Sequence, residues 1–406
     1  GQRVLGILSG EVALGEVPSG VVVVAENVVP SVVPILAEAG VVALVGSRGG
    51  PTSHVAILAR GLGLPAVLGA GDALDAVDAG TRLIVDGSSG QVIVAPDEET
   101  VATYERGASA AKERLAASRE AAQEPAATRS GRRIIVAANV ASVAEAEAAV
   151  ANGADGVGLL RTEFLFLDRN SLPDEESQIA ALRAIFAPLG GRSILVRTLD
   201  VGGDKSVPAL GLTMERNGFL GERGLRYCLN HPNLFRTQLR AILRAATGHR
   251  VSLMFPMVTT VDEVRAARHL LGEVQAELDR EGVAWAAPEE IGIMVEVPAT
   301  ALAARTFVAE VDFFSVGSND LIQYTMAAER TNEAVASLYQ PDHPAFWTLL
   351  ELLVSQAHAG NCWVGLCGEV GGDPEMTARL VQVGLDELSM APAAIPLVKA
   401  AVRQVE

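Results

Sequence analysis

Cysteine is scarce: Cys228, Cys362 and Cys367 are the only three in 406 residues. That excludes a disulfide framework and suits a reducing cytoplasm. Basic residues are short as well, with 32 Lys and Arg against 49 Asp and Glu and a net charge of −17. Nucleic-acid backbones and anionic membrane surfaces are therefore poor partners. An anionic substrate needs a local nest of arginines or a metal, because the global field repels it. No apolar run reaches the roughly 18 residues of a membrane span. The opening GQRVLGILSG has neither a basic n-region nor a cleavage site and lacks an initiating Met, so the chain reads as the inside of a longer protein. The six histidines show no H-x-x-x-H spacing, which argues against zinc.

Apolar residues make up 49% of the chain and charged residues 20%, a globular composition with length for two or three domains. Residues 1–96 mix short β-branched runs with turns, and RLIVDGSSGQVIVAP reads as a hairpin around Gly87–Gly90. A small α/β domain is expected there. Residues 97–130 form a helical linker in which Val101, Tyr104, Ala108, Ala111 and Leu115 recur at helical spacing and Pro125 ends the run. At 1.5 Å per residue such a helix spans roughly 40 Å.

Residues 131–406 alternate strand-like runs with amphipathic helices. Seven strands are clear: RIIVAANV, GVGLLRTE, SILVRTLD, SLMFPMV, IGIMVEVP, DFFSVGSND and WVGLCGE. An eighth is expected in the irregular stretch NGFLGERGLR, giving a (β/α)8 barrel. A doubly wound open sheet fits less well, because no glycine-rich dinucleotide fingerprint follows the first strand.

Polar residues fall where such a barrel does its chemistry. Arg161, Arg197, Glu296, Asn319, Asp320, Cys367 and Glu369 follow apolar strand cores at their C-terminal ends. Glu296 and Asp320 offer hard oxygens to a Mg²⁺ ion with a partial water shell, or salt bridges to an arginine, or a general acid and base. Arg161, Arg197, Arg223 and Arg330, with Lys205 after a double glycine, suggest a highly charged anion gripped by bidentate contacts. Cys367 is a buried structural thiol, a nucleophile or a proton donor.

One histidine stands apart. In GSRGGPTSHVAILARGLGLPAVLG, His54 sits between a glycine-rich turn and an apolar-periodic helix. It is either a buried histidine near a turn or a phosphoryl acceptor at a helix mouth, where N–H groups and the helix dipole stabilise anions.

These stretches resemble enzyme I of the bacterial phosphoenolpyruvate-dependent sugar phosphotransferase system over nearly the whole chain. The resemblance rests on GGPTSHVAILARGLGLPAVLG, GVGLLRTEFLFLDRNSLPDEESQ, VRTLDVGGDK, IGIMVEVPA, DFFSVGSNDLIQYTMAAERTN, LYQPDHPA and GLCGEVGGD in that order. It implies a swivelling phosphohistidine domain, a linker helix and a phosphoenolpyruvate-binding barrel. By resemblance, His54 receives the phosphoryl group, and Arg161, Arg197, Arg330, Asn319 and Asp320 grip phosphoenolpyruvate. Glu296 and Asp320 bind Mg²⁺, Cys367 protonates the enolate to pyruvate, and Arg60, Arg223 and Lys205 are supporting cations. It also implies a cytoplasmic homodimer formed through the barrel, with the phosphocarrier HPr as partner. Only 53 residues precede His54, so the family's helical HPr-docking domain is expected to be missing or left out of this numbering.

Pro51, Gly218, Ser318 and Ile322 depart from the family pattern. None removes a group the chemistry needs; they bear on loop rigidity. Two other readings compete: a fragment of a pyruvate phosphate dikinase or phosphoenolpyruvate synthase, and a non-catalytic phosphoenolpyruvate-sensing paralogue. The first needs an ATP-grasp domain of which no trace is seen; the second is disfavoured by the presence of His54, Cys367 and both carboxylates.

Overall fold

In a computed structural model of the chain, the described residues are 17–50, 53–167, 171–202, 210, 218–329, 332 and 334–406, with the side chains at 54, 57, 60, 73, 75, 76 and 115 excepted. By internal packing the chain falls into two compact units, Gly1–Ala117 with Ala328–Tyr339, and Ser118–Ala327 with Gln340–Glu406.

In the first unit, strands β1 (Val22–Ala25), β2 (Ala43–Gly46) and β3 (Ala66–Leu68) form a parallel sheet in that order. Their β-branched and aliphatic side chains pack with Val33, Leu36, Val55 and Ala59 from two helices, Val33–Glu38 and His54–Gly61. The hairpin forms as its alternation predicts, β4 (Leu83–Asp86) pairing antiparallel with β5 (Gln91–Val94). Asp86 ties the turn by accepting from Ser88 and Ser89 side chains at 2.6 and 2.7 Å. Those bonds hold its carboxyl down at about 2.

The linker helix runs Glu98–Ala121 and stops short of Pro125. Arg403 accounts for the earlier stop by donating to the carbonyl of Ala121, while Lys399 donates to that of Ala122, closing the last turn with cations. Among the described side chains of the expected apolar stripe, Val101 is buried and Tyr104 half-buried, whereas Ala108 and Ala111 are exposed.

The second unit is a closed parallel barrel. After the two-residue antiparallel strand β6 (Ala126–Ala127) come β7 (Arg133–Val140), β8 (Val157–Leu160), β9 (Ser193–Arg197) and β10 (Arg250–Phe255). Then follow β11 (Ile291–Val295), β12 (Phe313–Val316), β13 (Trp363–Leu366) and β14 (Glu387–Met390). Each pairs with the next, and β14 pairs back onto β7 to close the ring. One sequence expectation is corrected here. The eighth strand is Glu387–Met390, not the stretch NGFLGERGLR, whose described part makes a 3₁₀ turn at Gly218–Leu220 and enters the helix Leu225–Asn230. The real strand is four residues long and opens on a glutamate, so it carries no apolar run to signal it.

Leu159, Leu195, Met254, Met294, Phe313 and Cys367 plug the barrel interior, with Trp363 against them. Phe313 and Trp363 stack at 4.6 Å. A fully buried Leu, Met or Phe contributes about 2 kcal/mol by leaving water. The outer helices carry ordinary stop and start signals: Val261–Glu281 opens on a Thr260–Glu263 capping box and ends at left-handed Gly282. Among the described residues no helix is long and apolar enough to cross a membrane.

Candidate active site on the barrel rim

Parallel strands end together, so the residue after each apolar strand core lands on one rim. Arg197 is the last residue of β9, Glu296 follows β11, Asn319 and Asp320 open the helix after β12, and Cys367 follows β13. Glu163 and Asp200 lie just beyond β8 and β9.

Arginine and carboxylate side chains interlock there. Arg197, 6% exposed, donates to Glu163 at 2.6 Å and lies 3.3 Å from Asp200 and 3.7 Å from Glu296. Burial pulls its guanidinium down, and Glu163, Asp200 and Glu296 more than reverse this, leaving it well above its ordinary value. Arg223, also buried, forks onto Asp200 with two 3.0 Å bonds and onto Asp320 at 3.0 and 3.1 Å. Asp200 thus bridges two guanidiniums and holds their planes. Tyr324 adds its hydroxyl to Arg223 at 3.5 Å and donates to the carbonyl of Phe219. Asn319 and Glu369 bind each other twice, Nδ2 to Oε1 at 3.2 Å and Glu369 N–H to Oδ1 at 3.1 Å.

Glu296 is 1% exposed and accepts the amide of Met257 at 2.8 Å. Gly317 makes the room it occupies, because a Cβ there would meet Glu296 Cγ at 2.7 Å. Burial, then Asp200 and Asp320, push the Glu296 carboxyl up to about 8, against the pull of Arg197 and Arg223. The Cys367 thiol, 3% exposed, donates to the carbonyl of Val316 at 3.6 Å. Burial raises it to about 11, so it holds its proton at neutral pH and is a poor nucleophile. Asn139 at the end of β7 pins this loop, donating to the Cys367 carbonyl at 2.9 Å and accepting from Ser389 at 2.7 Å.

The other expected site lies in the first unit. His54 is the first residue of its helix, and Ser53 just before it accepts the amide of Ala56 at 3.3 Å. Gly49, at φ +100°, takes a left-handed turn that a side chain would strain. The side chains of His54 and Arg60 are outside the described residues.

Residues 115–406 match the PEP-binding domain of PEP-utilising enzymes, and residues 17–90 match the mobile domain of the same enzymes. A phosphoenolpyruvate-protein phosphotransferase of Haloferax volcanii is 49% identical over 100% of this chain and 71% of its own length. That of Priestia megaterium is 43% identical over 95% of this chain and 67% of its own, and that of Bacillus subtilis 44% over 92% and 66%. The chain belongs to the phosphoenolpyruvate-protein phosphotransferase family.

Of the residues expected to act in this phosphotransferase family's chemistry, Arg197, Arg223, Glu296, Asp320 and Cys367 are brought together on the rim, with Asn319 beside them. Arg161, directly after β8, is exposed and makes no ion pair among the described residues. Lys205 and Arg330 lie outside the described residues, as does Pro51. Of the other departures, Ser318 and Ile322 are fully buried in the helix Ser318–Met326 and Gly218 opens a 3₁₀ turn.

Three residues escaped the sequence reading as site members. Glu163, Asp200 and Asn139 sit at strand ends like those identified, Glu163 and Asp200 inside RTEF and RTLD. That strand-end position was the available signal.

A divalent metal suits this site on charge. Glu163, Asp200, Glu296 and Asp320 set four carboxylates against the two guanidiniums of Arg197 and Arg223, and burial, with Asp200 and Asp320 beside it, drives Glu296 toward protonation. Among the described residues no three His, Cys, Asp or Glu side chains form a ready cage. Two hard carboxylates with water and substrate filling the remaining positions is how Mg²⁺ is usually held.

Proposed function

We propose that this chain transfers the phosphoryl group of phosphoenolpyruvate to His54, releases pyruvate, and passes the group on to a phosphocarrier protein of the HPr kind. The observation that carries the reading is the buried Glu163–Arg197–Asp200–Arg223–Asp320 network at the rim of a barrel matching the PEP-binding domain. It presents oriented cations and carboxylates whose geometry is fixed before substrate arrives.

In this reading Arg161, Arg197 and Arg330 grip the phosphate and carboxylate, Asn319 orients the substrate, and Lys205, Arg223 and Arg60 support. Glu296 and Asp320 would hold Mg²⁺, which when bound neutralises phosphate charge and steadies the leaving enolate oxygen. The neutral imidazole of His54 forms a P–N bond as the P–O bond to the enolate breaks. Cys367 then gives its proton to the methylene carbon, completing pyruvate. A thiol held near 11 by burial is suited to that step, because it arrives protonated. Residues 1–96 would be the swivelling domain, 97–130 the linker and 131–406 the barrel. The reading also takes the protein as a cytoplasmic homodimer joined through the barrel, a point sedimentation would check.

The test is incubation with labelled phosphoenolpyruvate, with and without Mg²⁺. An acid-labile phosphoprotein dependent on Mg²⁺ and lost in His54→Ala is expected. Label that persists on another residue overturns the assignment.

A further inference from the structure

The barrel has a second opening, at the N-terminal ends of its strands. A cavity of about 570 Å³ lies there, in the second unit and across the apolar plug from the catalytic rim. Its walls are amphipathic: Ile135, Leu195 and the indole of Trp363 face polar groups from Ser252, Arg133 and Glu387.

Two of those groups lack partners. Glu387 opens β14 and is paired in register with Ile135, and Arg133, two residues before Ile135, shares its face of β7. The Glu387 side chain reaches over Gly158, where a Cβ would meet its Oε1 at 2.4 Å. That Oε1 is out of solvent and has no hydrogen-bond partner among the described residues. Arg133 makes no ion pair among them either. The other charges facing the cavity are committed. Arg192 donates to the carbonyls of Ala154 and Leu189, Arg250 forks onto Glu289, Glu290 accepts the indole N–H of Trp363, and Asp155 holds Lys399.

We propose that this cavity is a second binding site, taking a small carboxylate that carries a further oxygen acceptor: its carboxylate sits on Arg133 and its second oxygen accepts from the Glu387 carboxyl. Its carbon chain lies against Trp363 and Ile135. Burial, with Glu290 and Asp155 nearby, pushes Glu387 up to about 8, so at neutral pH it has a proton to donate. Above that it becomes a carboxylate and repels the ligand.

The test titrates the full chain with sodium malonate, reading Trp363 emission, with Trp363→Phe to identify the signal and sodium chloride of equal ionic strength as control. A saturable change is expected in the parent. Arg133→Ala should weaken it about tenfold or more, the loss of one charge-assisted hydrogen bond. Glu387→Gln, which still donates, should bind like the parent at neutral pH and keep binding above about 8, where the parent loses it. A response no different from sodium chloride overturns the site. So does malonate binding that Arg133→Ala leaves unchanged, which would place it elsewhere.

Discussion

Two glutamates, Glu296 at the candidate site on the rim and Glu387 at the opposite end of the barrel, are pushed by burial up to about 8. Their surroundings differ. Glu296 has Arg197 at 3.7 Å, the amide of Met257 on its other oxygen, and Asp200 and Asp320 as like-charged neighbours. Glu387 has Glu290 and Asp155 nearby and no partner on Oε1 among the described residues. Desolvation first, and like-charged neighbours second, explain why each favours its protonated form. They do not explain use. At the rim, clustered carboxylates and fixed guanidiniums suit a cation and a phosphate together; at the other end, an isolated carboxyl suits an acceptor.

The comparison breaks most sharply through phosphorylation. His54→Ala should abolish labelling from phosphoenolpyruvate, and Glu296→Ala should lower it by about a hundredfold or more, on the scale of losing one preorganised electrostatic contact. Circular dichroism should show both folded. Full activity of either Glu296→Ala or the parent in EDTA would remove the metal from the reading.

Next comes the fork. Arg197→Lys keeps the charge and loses the planar grip on Glu163 and Asp200. A cost of about 2 kcal/mol in kcat/KM, roughly thirtyfold, is expected. A rate within about twofold of the parent would place Arg197 outside the transition state.

Cys367→Ala should divide the reaction. Phosphohistidine should still form, while pyruvate appears slowly or the proton is delivered to both faces of the enolate, read as loss of methyl chirality from phosphoenolpyruvate labelled stereospecifically at its methylene with two hydrogen isotopes. If labelling itself fails, the thiol binds or supports instead of donating.

At the other end the effect on phosphorylation vanishes and one on stability remains. A glutamate that ionises at 4.5 when unfolded and at about 8 in the fold binds a proton more in the native state across that window. Stability attributable to it is therefore whole below 4.5, falls as pH rises toward about 8, and then levels. Glu387→Gln removes the dependence, so its advantage should grow through the same window to at most about 3 kcal/mol at pH 7. Phosphorylation should be unchanged. A melting-temperature difference flat with pH would show that Glu387 ionises normally.

The barrel was largely legible in the sequence, because seven of its strands are apolar runs, three of them ended by a charged residue, and alternation with helices leaves few other packings. β14 was not. Its glutamate points into the barrel, where burial and neighbouring glycines accommodate it, and no local pattern announces that. The helix Glu98–Ala121 was legible too, although its end was set by Lys399 and Arg403 from the far end of the chain.

For the site, residue chemistry and order along the chain determined which residues are candidates, since motif spacing survives in one dimension. Only the tertiary structure decided who pairs with whom. Asp200 became the bridge between two arginines, Asp320 the partner of Arg223, and Glu387 a carboxyl whose Oε1 has no hydrogen-bond partner among the described residues. Those roles depend on through-space distances and on exclusion of water, and both are settled when eight strands from distant parts of the chain close into a ring.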